Sequence, residues 1–223
     1  MPELKEIFEN VFSANNKLYT KNLAPGQRVY GEALLKSSGI EYREWVPWRS
    51  KLSAGIRQGL KELPIRKGSR VLYLGCAEGT TVSHVSDIVE SNGLVIGIDF
   101  SGKSMQKFIQ LAETRTNIIP LLADANQPQE YEADVKELKP DVLFQDVSQP
   151  NQSEIFAKNA GKFLAEGQHA LIALKTQSID VTKKPIEVIE NELKELIKHF
   201  DVLQTINLEP FEKDHALIHC RKK

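Results

Sequence analysis

Cysteine is almost missing from these 223 residues: Cys76 and Cys220 are the only two. A pair so far apart makes no disulfide framework and fits a reducing compartment, so a cytoplasmic location is expected. With five scattered histidines beside them, no zinc-binding spacing emerges and no metal is expected. Long apolar runs are missing too. The longest, such as Ala170–Leu174, have strand length, far short of the ~18–20 residues a membrane span requires. The opening Met-Pro-Glu-Leu-Lys-Glu-Ile-Phe carries acids where a secretion signal is basic and then apolar. Neither export nor membrane insertion is expected. Net charge is only −1, which in total offers nothing to nucleic acid. No internal repeat or low-complexity segment stands out. What remains is a chain with 41% apolar and 26% charged residues, enough to bury a core.

The charge is unevenly spread. Residues 43–70 hold eight bases (Arg43, Arg49, Lys51, Arg57, Lys61, Arg66, Lys67 and Arg70) against Glu44 and Glu62, a local charge of +6. This segment reads as a basic face able to follow phosphates, or as an ordinary solvated surface.

Residues 1–50 alternate short apolar-aromatic runs with breakers and read as small hairpins around Pro25-Gly26, a small β-rich domain. From residue 51 to 223 a second domain is expected. It opens with a helix carrying Leu52, Ile56, Leu60 and Leu63, closed by Pro64 and Gly68. Strands then alternate with helices: Val71–Leu74, Leu94–Ile98, Ile118–Leu122, Val142–Gln145 and Ala170–Leu174, with helices over roughly 102–114, 151–165 and 184–200. The last helix shows Ile186, Ile189, Leu193, Leu196, Ile197 and Phe200 as one stripe. Val202–Leu208 and Ala216–Cys220 follow with only a short loop between them, which forces an antiparallel pair. The fold class is α/β: a doubly wound, mostly parallel seven-stranded sheet with one strand reversed near its edge.

Ligands of such sheets sit at the carboxyl ends of the strands. The first turn reads Leu74-Gly75-Cys76-Ala77-Glu78-Gly79-Thr80-Thr81. Ala77 occupies the position where a dinucleotide turn needs glycine, and no lysine follows Gly79 as a phosphate loop requires. Asp99 lies 24 residues beyond Gly75, where a carboxylate accepts both ribose hydroxyls of an adenosine, and Asp124 is within reach of the adenine amino group. The turn, the two acids and the reversed strand together resemble the S-adenosylmethionine-dependent methyltransferase fold. Cys76 reads as a small packing residue.

Four polar residues fall where this topology brings them together: Lys51 on the entering helix, Asp146 and Lys175 at strand ends, and His215 opening the final strand. Each alone also reads as a surface lysine, a turn residue, a snorkelling cap or a polar edge. Several blocks carry more information: Gly75-Cys-Ala-Glu-Gly-Thr-Thr-Val-Ser-His-Val-Ser-Asp-Ile-Val, Asp146-Val-Ser-Gln-Pro, Lys175-Thr-Gln-Ser-Ile-Asp, Leu208-Glu-Pro-Phe-Glu-Lys-Asp-His and Tyr42-Arg-Glu-Trp-Val-Pro-Trp-Arg-Ser-Lys-Leu. These blocks closely resemble fibrillarin, and the likeness spans essentially the whole chain.

The resemblance implies the methyltransferase subunit of box C/D guide ribonucleoproteins, acting on ribose 2′-hydroxyls of rRNA and tRNA. It implies S-adenosyl-L-methionine as cofactor. The implied partners are a Nop-domain scaffold protein, a kink-turn-binding ribosomal-type protein and a box C/D guide RNA. The family's Lys-Asp-Lys-His tetrad falls on Lys51, Asp146, Lys175 and His215. Its cofactor contacts fall on the Gly75–Gly79 turn, Thr80, Thr81, Asp99, Phe100, Asp124, Ala125 and the turn Asp146, Val147, Ser148, Gln149. A Gly/Arg-rich tail of the eukaryotic kind does not occur, which points to the archaeal form. Asp99 stands where the family usually has Glu, Ser148 where it has Ala, and Cys76 and Glu78 are unusual within the turn.

Lysine accepts a proton only when uncharged, and a second lysine nearby favours that form. Lys175 is therefore the expected base, with Lys51 promoting it and helping to hold the ribose. Asp146 orients Lys175 and faces the cationic cofactor; His215 positions the sugar or Lys51. Two other classes remain: a small-molecule O-methyltransferase on the same fold, and a catalytically silent ribonucleoprotein scaffold subunit.

Overall fold

The computed structural model describes residues 3–223. Strands β1 (Lys5–Phe8), β2 (Val11–Ala14), β3 (Lys17–Lys21), β4 (Leu34–Ser37) and β5 (Ile40–Glu44) form an antiparallel sheet in the order β1-β2-β3-β5-β4. A 3₁₀ turn (Pro47–Arg49) leads into α1 (Lys51–Arg57). There follow β6 (Arg70–Leu74), α2 (Thr80–Val89), β7 (Leu94–Asp99), α3 (Gly102–Thr114), β8 (Ile118–Leu122), α4 (Glu132–Leu138) and β9 (Val142–Gln145). The remainder is α5 (Gln152–Phe163), β10 (His169–Lys175), α6 (Thr176–Ile179), α7 (Pro185–Leu196), β11 (Phe200–Asn207) and β12 (His215–Lys222).

The second sheet runs β11-β12-β10-β9-β6-β7-β8. Strand β12 is antiparallel to both β10 and β11, so the expected reversed strand sits one place in from the edge. The central strands are buried on both faces, as parallel sheets demand. Along β6, Val71 and Tyr73 join a cluster with Val82, Val85 and Ile88 of α2, while Leu72 and Leu74 join one with Ile155 and Phe156 of α5. Val11, Leu18 and Trp45 enter the first of these clusters, so the antiparallel sheet packs directly on the larger unit.

A buried polar network reinforces that contact. The Arg43 guanidinium lies 2.6 Å from Glu32 and 2.9 Å from Asp87, and Arg115 lies 2.5 Å from Asp87. Thr20 donates to Asp87 at 2.8 Å, and the Leu23 N–H donates to the same carboxylate at 2.9 Å. His84 stacks on Trp45 and meets Thr20 Oγ1 at 2.7 Å and the Tyr30 hydroxyl at 2.8 Å. Burial, followed by the nearby Arg43 and Arg115, holds His84 far below the ordinary imidazole range, so it stays neutral.

Several expectations need correction. The segment 22–33 is not a hairpin: β3 pairs with β5, and the chain around Pro25-Gly26 is an excursion between β3 and β4. Helix α1 ends at Arg57, with Gly59 at φ +93°, yet Leu60, Leu63 and Ile65 remain buried. Their spacing marked the core and not a longer helix. Ile186 of α7 and Ile197 just beyond it are exposed, and Phe200 belongs to β11. The basic segment is no single face either. Arg43 is wholly buried in its ion pairs, Lys51 is bonded inside a cleft, and Arg70 donates to the Leu138 carbonyl.

Candidate active site

Strand β6 lies between β9 and β7, so connections leave it in opposite directions and open a crevice beyond its carboxyl end. Gly75 begins the turn there at φ +79°. A Cβ on it would lie 2.3 Å from the Asp146 carbonyl oxygen, so the β6 and β9 turns meet only because the side chain is missing. The Asp146 N–H completes the contact by donating to the Leu74 carbonyl at 2.8 Å.

Two hollows flank this junction and share Gly75, Ala77 and Asp146. The first, about 310 Å³, is lined further by Asp99, Phe100, Ala125, Val147, Ser148 and Gln149. Asp99 Oδ2 accepts from the Ala77 N–H and Oδ1 from the Ser101 N–H, both at 2.9 Å, so this carboxylate braces the glycine turn. Gln149 donates through Nε2 to Asp124 at 3.2 Å, while its Oε1 is buried without a partner. An acceptor left unpaired in a hollow calls for a ligand N–H. Asp124 itself lies behind Gln149 and does not line the hollow; its neighbour Ala125 does. Phe100 is 69% exposed and presents an open aromatic face.

The second hollow, about 270 Å³, is lined further by Arg49, Tyr73, Cys76, Thr80, Thr81 and Glu78, whose carboxylate is engaged by Lys107 at 2.6 Å. Helix α2 begins here behind Gly79, without a side-chain cap, so its first N–H groups and the Arg49 guanidinium favour an anion. Gly79 lines neither hollow; a Cβ there would strike Phe108 and Leu111, so it serves the packing of α2 on α3. Cys76 is buried, and burial pushes its thiol well above the usual range, which leaves it an inert packing residue.

The four polar residues arrive as two pairs. Lys51 Nζ is 3.0 Å from Asp146 Oδ2, each side chain 19% exposed. Ser50 fixes the start of α1: its hydroxyl accepts from the Ser53 N–H at 3.3 Å and from Thr81 Oγ1 at 3.1 Å, tying Lys51 to the α2 turn. Lys175 and His215 are directly opposite in the β10–β12 ladder, which sets their Cβ atoms roughly 4.5–5.5 Å apart. Gln152 clamps the Lys175 backbone, accepting from its N–H at 3.0 Å and donating to its carbonyl at 3.2 Å. Among the described residues the Lys175 ammonium has no hydrogen-bond or ion-pair partner, so Asp146 is bonded to Lys51 and not to Lys175. His215 Nδ1 donates to the Lys213 carbonyl at 2.7 Å, leaving Nε2 as an acceptor when the ring is neutral. Trp48 and Phe211, from the segments before Lys51 and His215, meet edge to face at 5.2 Å.

The family model described as Fibrillarin matches residues 2–223. The chain belongs to the fibrillarin family. It is 51% identical to the fibrillarin-like rRNA/tRNA 2′-O-methyltransferase of Pyrococcus abyssi, over 93% of this chain and 91% of that protein. The structure of Aeropyrum pernix fibrillarin with natively bound S-adenosyl-L-methionine superposes with a TM-score of 0.88 at 41% identity, covering 99% of this chain and 100% of that one. A chain from a fibrillarin/Nop5p complex gives 0.88 at 42% identity, covering 98% and 100%. Seen as a fibrillarin-family cleft, three contributors escaped the sequence reading. Ser50 was legible as a cap ahead of a helical pattern. Arg49 and Gln152 carry no local signal, because their positions depend on how distant segments meet.

Proposed function

We propose that this chain methylates ribose 2′-hydroxyls of rRNA and tRNA with S-adenosylmethionine, as the catalytic subunit of a cytoplasmic box C/D guide ribonucleoprotein. The observation that carries the reading is the junction itself: two hollows meeting at Asp146, with Lys51 bonded to that carboxylate and the Lys175–His215 pair on the neighbouring strands. The names of the 51%-identical relative and the two fibrillarin structures support it.

The residues present fit the cofactor. Gln149 Oε1 lacks a donor, which an adenine amino group supplies; Asp99 is placed to accept from ribose; the uncapped start of α2 with Arg49 suits an amino-acid carboxylate. When bound, S-adenosylmethionine supplies an electrophilic methyl on a cationic sulfur. The chain must then align and deprotonate a weak nucleophile. Alignment is worth up to ~7–11 kcal/mol and general-base assistance roughly 10²–10⁴-fold. Lys175, without a hydrogen-bond or ion-pair partner among the described residues, takes the hydroxyl proton when its amine is uncharged. His215 Nε2 accepts from the sugar and holds it. Lys51 is engaged by Asp146, which keeps a carboxylate facing the side where positive charge resides. Trp48 and Phe211 offer a rim on which a nucleobase stacks.

With a charge of −1 and no aromatic-rich base-reading module, the chain finds its ribose through others. The guide RNA supplies sequence choice by base pairing; a Nop-domain scaffold and a kink-turn-binding protein hold it. Reconstitution with these components and methyl-labelled cofactor tests the reading. Label is expected only at the guide-specified ribose, and only with the complete assembly. Efficient site-specific methylation by the chain without guide or scaffold overturns it.

A further inference from the structure

At the far end of the same sheet, Glu62, His169 and His219 come together, each offering one ligand atom, all within 4.8 Å of one another. The ladder explains the two histidines. His169 is opposite Arg221 and Leu171 is opposite His219, so the imidazoles are diagonal neighbours on one face of the β10–β12 pair. Their rings stack at 5.1 Å, with His169 Nδ1 2.9 Å from His219 Nε2.

The third member is delivered by a pinned loop. Gln204 of β11, the ladder partner of His219, accepts from the Lys61 N–H at 3.0 Å and donates to the Gly59 carbonyl at 2.9 Å. Leu60 and Leu63, on either side of Glu62, are buried in the core. The loop therefore holds Glu62 over the histidines, yet its carboxylate has no hydrogen bond or ion pair among the described residues. His219 is 2% exposed, so one imidazole is fixed by packing while the carboxylate keeps an open approach from solvent.

We propose that Glu62, His169 and His219 form a binding site for a divalent transition-metal ion, best matched by Zn²⁺. Two imidazole nitrogens and one carboxylate oxygen make a borderline-soft donor set that zinc accepts with a fourth position left to water. Tetrahedral ligands at zinc bond lengths stand about 3.3–3.4 Å from one another. A small separation of the rings and an inward swing of the exposed Glu62 reach that geometry. The sequence hides the site because its ligands come from three separate segments whose meeting depends on strand register.

The position gives the ion a structural task. The segment containing α1 carries Lys51 and Glu62; β10 carries Lys175 and His169; β12 carries His215 and His219. The three segments that contribute to the candidate active site also meet at the ion, at the first residue of β10, midway along β12 and in the loop after α1. The site is independent of the functional reading above.

The test uses untagged full-length chain, stripped with chelator and titrated with ZnCl₂ by calorimetry. A parallel CoCl₂ titration follows visible absorption for tetrahedral nitrogen–oxygen ligation. One saturable equivalent is expected, with a rise in melting temperature on adding Zn²⁺. Glu62→Gln, a change at an exposed position, is expected to weaken binding at least about tenfold, as loss of one of three ligands should. His169→Ala abolishes both the cobalt spectrum and the thermal shift. His199→Ala, at an exposed histidine outside the cluster, leaves them unchanged. Circular dichroism confirms that each variant is folded. No saturable equivalent in the wild type, or binding retained in both Glu62→Gln and His169→Ala, overturns the proposal; that outcome leaves a stacked imidazole pair of purely structural use.

Discussion

Replacing Asp87 by Asn removes one charge from a closed set of four. Arg43, Arg115, Glu32 and Asp87 sum to zero inside the protein, and Arg43, Asp87 and Arg115 are each no more than 1% exposed. Asparagine keeps one acceptor oxygen, enough for Leu23 N–H or Thr20 but not for both, and it leaves Arg115 and Arg43 without their shared carboxylate. Removing one partner of a buried pair costs ~3–5 kcal/mol, because the surviving charge stays out of water. Against a total stability of roughly 5–15 kcal/mol that is a large fraction. For a chain of this size, each kcal/mol moves the melting temperature by about 2–4 °C, so the fall is roughly 6–20 °C. Circular dichroism measures the fall on heating and the free-energy loss in urea. The second half of the test is Asp87→Asn combined with Arg115→Met, which restores neutrality through the remaining Arg43–Glu32 pair. The double variant is expected to be more stable than Asp87→Asn alone. A single-variant loss below about 1 kcal/mol, the value of an exposed pair, or a double variant no better than the single one, refutes the reasoning.

Lys175→Ala is expected to lower single-turnover methylation in the assembled particle by at least about tenfold while changing cofactor affinity less, and Lys175→Arg should not restore it, since guanidinium stays protonated. A fully active arginine variant removes Lys175 as the base. Gly75→Ala places a Cβ 2.3 Å from the Asp146 carbonyl at φ +79°, so calorimetry should show S-adenosylmethionine binding lost or strongly weakened; unchanged binding contradicts the tight junction. Asp99→Ala leaves the Ala77 N–H without its acceptor and removes the proposed ribose contact, so cofactor affinity should fall although the circular dichroism spectrum is kept. An unaltered dissociation constant moves the ribose contact elsewhere.

The succession of strands and the turns at their ends were legible because they rest on local chemistry. Val71–Leu74 followed by Gly75 announces a buried strand and a tight turn, and Asp99, Asp146 and Lys175 mark strand ends where a polar residue must leave the core. The short loop between β11 and β12 fixed the reversed strand. Arg43 was misread because charge counting assumes solvent, and only the β3–β5 pairing shows that it faces Asp87. The extent of α1 was overread because Leu60 and Leu63 are buried by a chain that has already left the helix. Glu62, His169 and His219 were invisible as a set, since their proximity is a matter of ladder register.

Strand β12 separates β11 from β10, although it is made after both. During synthesis β11 therefore has no sheet neighbour to join, and β10 keeps an open edge, until the β12 segment has cleared the ribosome. His215 reaches Lys175 only at that moment. A nascent chain halted before β12 can complete the turns around Gly75 and Asp146, yet lacks the histidine side of the cleft. Insertion of one late strand thus closes the sheet and brings His215 to Lys175 in a single step.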